Sequence, residues 1–411
     1  MGHYATWMTA QAHHRIRFLA ARASLVVARP IAIMLASRFV DIDVANDLAR
    51  LVVAVGFGLV ASAFDSGRLY YEAALADTGS RAIRFHDYAG RVALTGAVGA
   101  IVSAAIAAGG ALDPWLAAAA AGCFLTERAI DERQRYLLVD RRIDEWSSMQ
   151  LARGAMQVAF TGAALVAAAR LGSIAAPWLA LPLAAANLLT LPMIPAAARA
   201  ARLARAGSVT ARIARRSAAQ IAGNWALWAA GLLGATLGYG DRLAIALWDT
   251  PGTASMVVAA SCLSLHSVAV STFFFTPRRN AIVRKDVPPS AFATRAYLLP
   301  ALGGLAAGVA LAAASLAGFA DEARASVADV AVLACTAAAT TLGGMLREVA
   351  YYRSPGATLV RIDSIAVAAA ATGVLAAWAT GAPLAVPFAA LLAVQAVRSA
   401  ALVRSCRAAP R

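Results

Sequence analysis

About twelve apolar stretches follow one another along this chain of 411 residues, and they constrain its fold more than any other feature. A helix of about 20 apolar residues crosses the hydrocarbon core of a membrane with all of its backbone hydrogen bonds made internally. Only 14% of the residues are charged, against about a quarter in soluble domains. We therefore predict an all-α polytopic membrane protein whose spans lie at about 18–39, 48–64, 92–112, 115–130, 149–170, 174–195, 218–240, 252–275, 296–319, 326–346, 359–380 and 383–403.

The basic residues are concentrated in every second loop and at the termini. Of the 37 lysines and arginines, all but six follow this alternation; the exceptions are Arg29, Arg38, Arg50, Arg170, Arg242 and Arg324. Loops rich in arginine face the cytoplasm, so the pattern predicts an even number of spans with both termini cytoplasmic. It also accounts for the net charge of +15 without nucleic acid as a partner. Four isolated cysteines show no metal-ligand spacing, and we expect no metal and no disulfide framework.

The order of spans and turns in the first half of the chain recurs in the second half, which predicts two six-helix bundles. We assign residues 1–200 to an N-terminal bundle, 201–217 to a cytoplasmic basic linker and 218–411 to a C-terminal bundle. Residues 35–39 and 243–247 each precede an acidic turn and a further span, at an offset of roughly 210 residues, about the length of one six-span half. Such internal duplication is common among secondary transporters, whose substrate path lies between the halves. The second helix of the central hairpin is expected to stop at Pro277.

Ionisable residues within spans are the first candidates for function, because charge at membrane depth is costly. Arg29 lies in the middle of the first span and should face a cavity or an acidic partner. Charged neighbours also stand at the ends of three other spans, where each is first interpreted as a local ion pair: Asp65 and Arg68, Asp241 and Arg242, Arg347 and Glu348. Taken together, the arginines predict a cavity that holds an anion, since guanidinium donors match phosphate oxygens.

Two further candidates could couple transport to an ion. Glu127 belongs to an acidic group with Asp131 and Glu132, which is interpreted first as a helix end with ion pairs four residues apart. His266 lies in mid-span and could titrate in a proton-coupled carrier, although helix packing is the more common role. No motif for a nucleotide-binding loop, a metalloprotease or a serine hydrolase is present, so we expect no enzyme activity and no cofactor.

Residues 239–247 (YGDRLAIAL) resemble bacterial polysaccharide flippases of the multidrug/oligosaccharidyl-lipid/polysaccharide exporter superfamily. In that family the seventh span ends with Asp-Arg and a hydrophobic residue, followed by an acidic turn with glycine, an apolar span and a proline beside basic residues. The corresponding segments here are 248–252 (WDTPG) and 276–279 (TPRR), and the first half fits through Ala28-Arg29-Pro30. The chain departs from the family pattern at 254–256 (ASM).

The resemblance implies a transporter of the bacterial inner membrane. Its substrate would be an undecaprenyl-pyrophosphate-linked oligosaccharide, an anionic lipid that moves between leaflets by alternating access. The implied headgroup ligands are Arg29, Arg68 and Arg242, with Asp65 and Asp241 orienting them or binding a coupling ion, H⁺ or Na⁺. Two alternatives stay open. One is a cation-coupled exporter of drugs or other small molecules, and the other is a non-transporting membrane subunit of an envelope-biosynthesis complex.

Overall fold

The structure, a computed structural model, describes residues 2–62, 94–108, 114–139, 143–171, 176–190, 225–248, 252–283, 286–320 and 324–408. Within these ranges the chain is helical and forms no strand. The first group of helices comprises α1 (Gly2–Phe39), α2 (Ile42–Ala61), α3 (Leu94–Ala108), α4 (Pro114–Val139), α5 (Ile143–Leu171) and α6 (Ala176–Thr190). The second group comprises α7 (Trp225–Gly238), α8 (Gly240–Leu247), α9 (Thr253–Leu263), α10 (Leu265–Val270), α11 (Thr276–Val283), α12 (Arg295–Leu316), α13 (Val327–Arg353), α14 (Gly356–Ala379) and α15 (Ala385–Ala408).

Eight segments within the described ranges are long and apolar enough to cross a membrane, so the protein is a helical membrane protein. They are Ile16–Phe39, Ile42–Ala61, Asp144–Arg170, Thr253–Arg278, Arg295–Leu316, Val327–Arg353, Gly356–Ala379 and Ala385–Arg407. The other four predicted stretches also coincide with helices, namely α3, α4, α6 and α7, which are shorter or more charged. Large apolar side chains such as Ile101, Leu299 and Val397 point outward, as lipid-facing side chains do.

The same pattern of neighbours occurs in both groups of helices. In the first group α1 packs against α5, α4 against α6, and α5 against α6. In the second group α7 packs against α14, α13 against α15, and α14 against α15. If the six predicted stretches of each group are numbered one to six, both groups show the same three pairs. Stretch one packs against stretch five, stretch four against stretch six, and stretch five against stretch six. The helices therefore repeat their packing as well as their order.

The two groups contact each other through α1 and α2 on one side and α7 to α10 on the other. Near the start of α2, the Oδ1 atom of Asn46 accepts a hydrogen bond of 2.8 Å from the backbone N–H of Ala254, 208 residues further along the chain. That separation agrees with the sequence offset of roughly 210 residues, about the length of one six-span half. The bond therefore joins α2 to the start of α9, at positions that the sequence offset treats as equivalent in the two groups.

The central hairpin differs from the prediction at Pro277, where we expected its second helix to stop. A π-helical turn at Ser271–Phe275 follows α10, and α11 then continues to Val283. Proline within a helix lacks an N–H and its ring clashes with the carbonyl four residues earlier. The π turn widens the backbone just before this point, and the N–H of Thr276 bonds to Ser271 instead. The helix therefore passes the proline without ending.

Small residues allow the closest helix contacts in the second group. A Cβ atom on Gly308 of α12 would lie 2.9 Å from the carbonyl oxygen of Cys262 and 3.0 Å from the Cα atom of Leu263. Gly304, one turn earlier, is similarly close to α10. Close backbone approach replaces the missing hydrophobic driving force between helices in lipid.

We predict that Gly308→Ala lowers the stability of the protein by about 1–3 kcal/mol, because the new methyl group meets backbone atoms that cannot rotate away. The measurement is the apparent melting temperature in detergent. Gly303→Ala is the matched control on the same helix, because a Cβ atom there meets nothing within 4 Å. Equal melting temperatures for the two variants would show that α12 does not pack this closely on α9 and α10.

Candidate functional site: a charged cavity between the two groups of helices

A cavity of about 510 Å³ lies where the two groups of helices meet. Its wall is formed by α1, α2, α4 and α5 from the first group and by α8, α9, α10, the π turn and α13 from the second. The lining residues come from the end of the protein at which α1 and α5 begin and α4 and α10 end. At the opposite end the space between the groups is filled by a packed core that includes Ile33, Ala36, Ala45, Leu48 and Ala254. The cavity is therefore confined to one end of the bundle.

Glu127 is the centre of the charged wall. Its side chain is 3% exposed and accepts hydrogen bonds from Nη2 of Arg29, while Nη2 of Arg153 lies 3.5 Å away. Arg29 lines the cavity and also has this acidic partner, the two environments that the sequence predicted for it. The ion pair joins α1 to α4, and a local pair between Arg128 and Glu132 at 2.8 Å matches the expectation for this helix end.

Arg153 ties the charged wall to the sixth helix of the first group. Its Nε atom donates to Oδ1 of Asn187 at 2.6 Å, and Asn187 donates onward to Oγ1 of Thr126 at 3.3 Å. Arg153 is 2% exposed and Asn187 is fully buried. Buried charges are tolerated when their remaining donors are also satisfied, and these bonds fix the guanidinium beside Glu127.

Arg242 extends into the cavity from the second group without a carboxylate partner among the described residues. Its guanidinium lies 4.7 Å from the ring centre of Tyr239 and donates to the carbonyl of Ala260 at 3.3 Å. Asp241 is 6% exposed, accepts from the backbone N–H of Arg242 at 2.8 Å and does not line the cavity. The neighbouring charges therefore do not form the local side-chain pair that was the first interpretation. Arg242 remains available to a ligand, whereas Asp241 supports the turn that presents it.

The cavity has two layers along the direction of α1. Arg22 lies nearer the start of the helix and donates to Oγ of Ser271 at 2.7 Å, which links the two groups. Arg29 lies two turns further on, a distance of roughly 10 Å along the helix. Across the cavity the second group presents the hydroxyl-bearing residues Ser261, Ser264, Ser267 and Ser271. The first group thus supplies most of the charge and the second supplies hydroxyl groups.

A second buried charge cluster lies away from the cavity, in the corresponding helices of the second group. Asp363 on α14 is fully buried and accepts from Nε of Arg347 at 2.9 Å and from Nε of Arg398 at 2.8 Å. Gln395 completes the cluster, accepting from Arg398 and donating to the carbonyl of Leu237 on α7. Arg347 therefore pairs with the next helix rather than with Glu348. None of these residues lines the cavity.

The remaining candidates from the sequence do not meet in the cavity. His266 is 3% exposed, and its Nδ1 lies 2.6 Å from the carbonyl oxygen of Ala301, so it packs α10 against α12. Asp65, Arg68 and the linker 201–217 lie outside the described residues. No group of histidine, cysteine and acidic side chains suited to a metal occurs in the part of the chain that was described.

Sequence reasoning missed Arg153, Asn187, Asp363 and Arg398 as members of buried clusters. Arg153 and Arg398 were assigned to loops by their charge, although both lie in apolar helices. The amide side chains of Gln157, Asn187 and Gln395 could have indicated these buried clusters, because they are polar residues within apolar stretches. Intramembrane polar residues usually face a partner inside the bundle.

Comparison with known proteins identifies no relative: no family model, no curated protein and no solved structure matches the chain.

We predict that the buried pair of Arg29 and Glu127 is strongly coupled. Each single change, Arg29→Gln or Glu127→Gln, leaves a buried charge with less compensation and should cost about 3–5 kcal/mol, whereas the double variant should lose less than the sum. The measurement is the free energy of unfolding from titration with sodium dodecyl sulfate in mixed micelles.

The control cycle uses Arg17 and Asp144, which also join α1 to a neighbouring helix, at 3.4 Å, but have exposed side chains. Its coupling should stay below about 1 kcal/mol. Coupling of equal size in the two cycles would contradict the buried network.

Proposed function

We propose that the protein is a flippase that moves an anionic lipid-linked oligosaccharide, of the undecaprenyl-pyrophosphate class, across the bacterial inner membrane by alternating access. The observation that carries this proposal is the arginine-lined cavity at the junction of the two groups of helices. The twelve stretches are its spans, in two bundles of six, with both termini in the cytoplasm. The resemblance of residues 239–247 to polysaccharide flippases gives the substrate class.

The charge of the cavity favours an anion over a cation. Four arginines line it, Arg22, Arg29, Arg153 and Arg242, against two carboxylates, Glu127 and Asp131, which leaves a formal charge of +2 on these six side chains. Both carboxylates lie beside Arg153, and Glu127 also accepts from Arg29. A cationic drug would therefore compete with arginines for each carboxylate. A pyrophosphate would supply the anionic partner that Arg242 lacks among the described residues.

The packing supports a two-state transporter. The cavity occupies the end of the bundle where the first helix begins, and a packed apolar core fills the other end. The contact between the groups consists of α1 and α2 against α7 to α10. Rocking of the two groups of helices against each other would expose the cavity at each face in turn, and a cavity at the end where α1 begins would belong to the state that faces the cytoplasm.

We predict that Arg242→Ala slows flipping at least about tenfold, the loss expected from removing one charge-assisted contact, and that Arg242→Lys lies in between. The assay uses proteoliposomes that contain undecaprenyl-pyrophosphate-linked oligosaccharide, with leaflet exposure read from oxidation by membrane-impermeant periodate. The control is Arg404→Ala, an exposed arginine in the last turns of α15 that does not line the cavity.

Wild-type vesicles that flip no faster than protein-free vesicles would overturn the proposed function. Flipping by Arg242→Ala at the wild-type rate would instead remove this residue from the binding site while leaving the function in place.

A further inference from the structure

Two glutamines line the cavity and bond to each other across α4 and α5. Nε2 of Gln150 donates to Oε1 of Gln134, and the two residues are 4% and 6% exposed. This bond uses the amide nitrogen of Gln150 and the amide oxygen of Gln134. Nε2 of Gln134 and Oε1 of Gln150 have no hydrogen-bond partner among the described residues.

Trp146, one turn before Gln150 on α5, adds a third polar atom of this kind. It lines the cavity, stacks against Phe18 at 4.5 Å and is 3% exposed, and its Nε1–H has no partner within the described part of the chain. The three side chains together offer an amide donor, an indole donor and an amide acceptor, and none of them is charged. Leaving such groups unsatisfied costs about 1–3 kcal/mol each, so their position beside a cavity points to a ligand.

These neutral groups lie in a different layer from the charged wall. Gln134 follows Glu127 by two turns of α4, a distance of roughly 10 Å, towards the end at which Arg22 bonds to Ser271. Gln150 precedes Arg153 on α5 in the same direction. A ligand that fills the cavity therefore meets Arg29, Glu127 and Arg153 in one layer. In the other layer it meets these neutral groups beside Arg22, whose guanidinium already donates to Ser271.

We propose that Gln134 and Gln150, with Trp146, form a carbohydrate subsite that binds the sugar portion of the substrate, while Arg242 and Arg29 bind its phosphate portion. A sugar hydroxyl both donates and accepts, so adjacent hydroxyls can satisfy the amide acceptor and the two donors together. A hydrocarbon chain would satisfy none of them, and a second phosphate would find no cation among these three side chains.

The amides can reach such a ligand by a small movement. The terminal torsion of glutamine is broad, so small changes of this torsion can bring the unpaired amide atoms towards the cavity while the bond between the two side chains is kept. The bond between the two glutamines holds their side chains side by side and fixes the spacing of the subsite. The serines of α9 and α10 face the same space and extend the hydroxyl-binding surface.

This inference rests on the proposed function, and the test separates the two. The purified protein is titrated with undecaprenyl pyrophosphate and with the same lipid carrying a neutral disaccharide, and the two dissociation constants are compared. The wild-type protein should bind the glycosylated lipid at least about tenfold more tightly, from two or three added hydrogen bonds. Failure to bind either lipid would overturn the proposed function and this inference together; equal affinity for both would overturn this inference alone.

The double variant Gln134→Leu/Gln150→Leu keeps the side-chain volume and removes the amides. It should lose the preference for the glycosylated lipid while binding the bare lipid as the wild-type protein does. Gln157→Leu is the matched control on α5, because Gln157 is also buried, bonds to Asn187 and does not line the cavity. It should keep the preference. Retention of the preference by the double variant, or an equal loss of affinity for both lipids, would overturn the subsite.

Discussion

The cost of placing charge inside a membrane protein governs this structure. Arg29, Glu127 and Arg153 can lie at membrane depth only because each guanidinium finds the carboxylate of another helix and further donors find Asn187. Removing any one member leaves the others with less compensation for their burial. The network therefore fixes how α1, α4, α5 and α6 pack, and it does so with more directional precision than apolar contacts in lipid could provide.

The two groups of helices differ in how their buried charge clusters lie relative to the cavity. Both groups bury a carboxylate between arginines, and both repeat the same order of helix neighbours. The cluster around Asp363 is closed within α13, α14 and α15, whereas the cluster around Glu127 opens onto the cavity. The repeated arrangement of helices therefore contains one charge cluster that is closed between helices and one that faces the cavity.

The sequence predicted the helical membrane class and the environment of Arg29, because both follow from local rules about apolar length and buried charge. It did not predict the partners of Arg153 and Asp363, which lie on neighbouring helices whose relative rotation the sequence pattern does not determine. The expected helix end at Pro277 was wrong for a different reason. A π-helical turn before the proline changes the backbone hydrogen bonding there, and the rule that proline ends a helix does not take such a turn into account. The count of twelve spans and the roles of the site residues stay predictions.

The central claim is that the charged side chains surround a water-filled chamber open at one face. The most direct measurement is the labelling of Ser267→Cys by a membrane-impermeant thiol reagent, in a variant without the native cysteines. Ser267 lines the cavity, whereas Leu302→Cys on the outward face of α12 serves as the lipid-facing reference. The account predicts fast labelling of Ser267→Cys from the face where α1 begins and protection by the lipid-linked oligosaccharide. Labelling as slow as that of Leu302→Cys would show a dry contact and contradict the account.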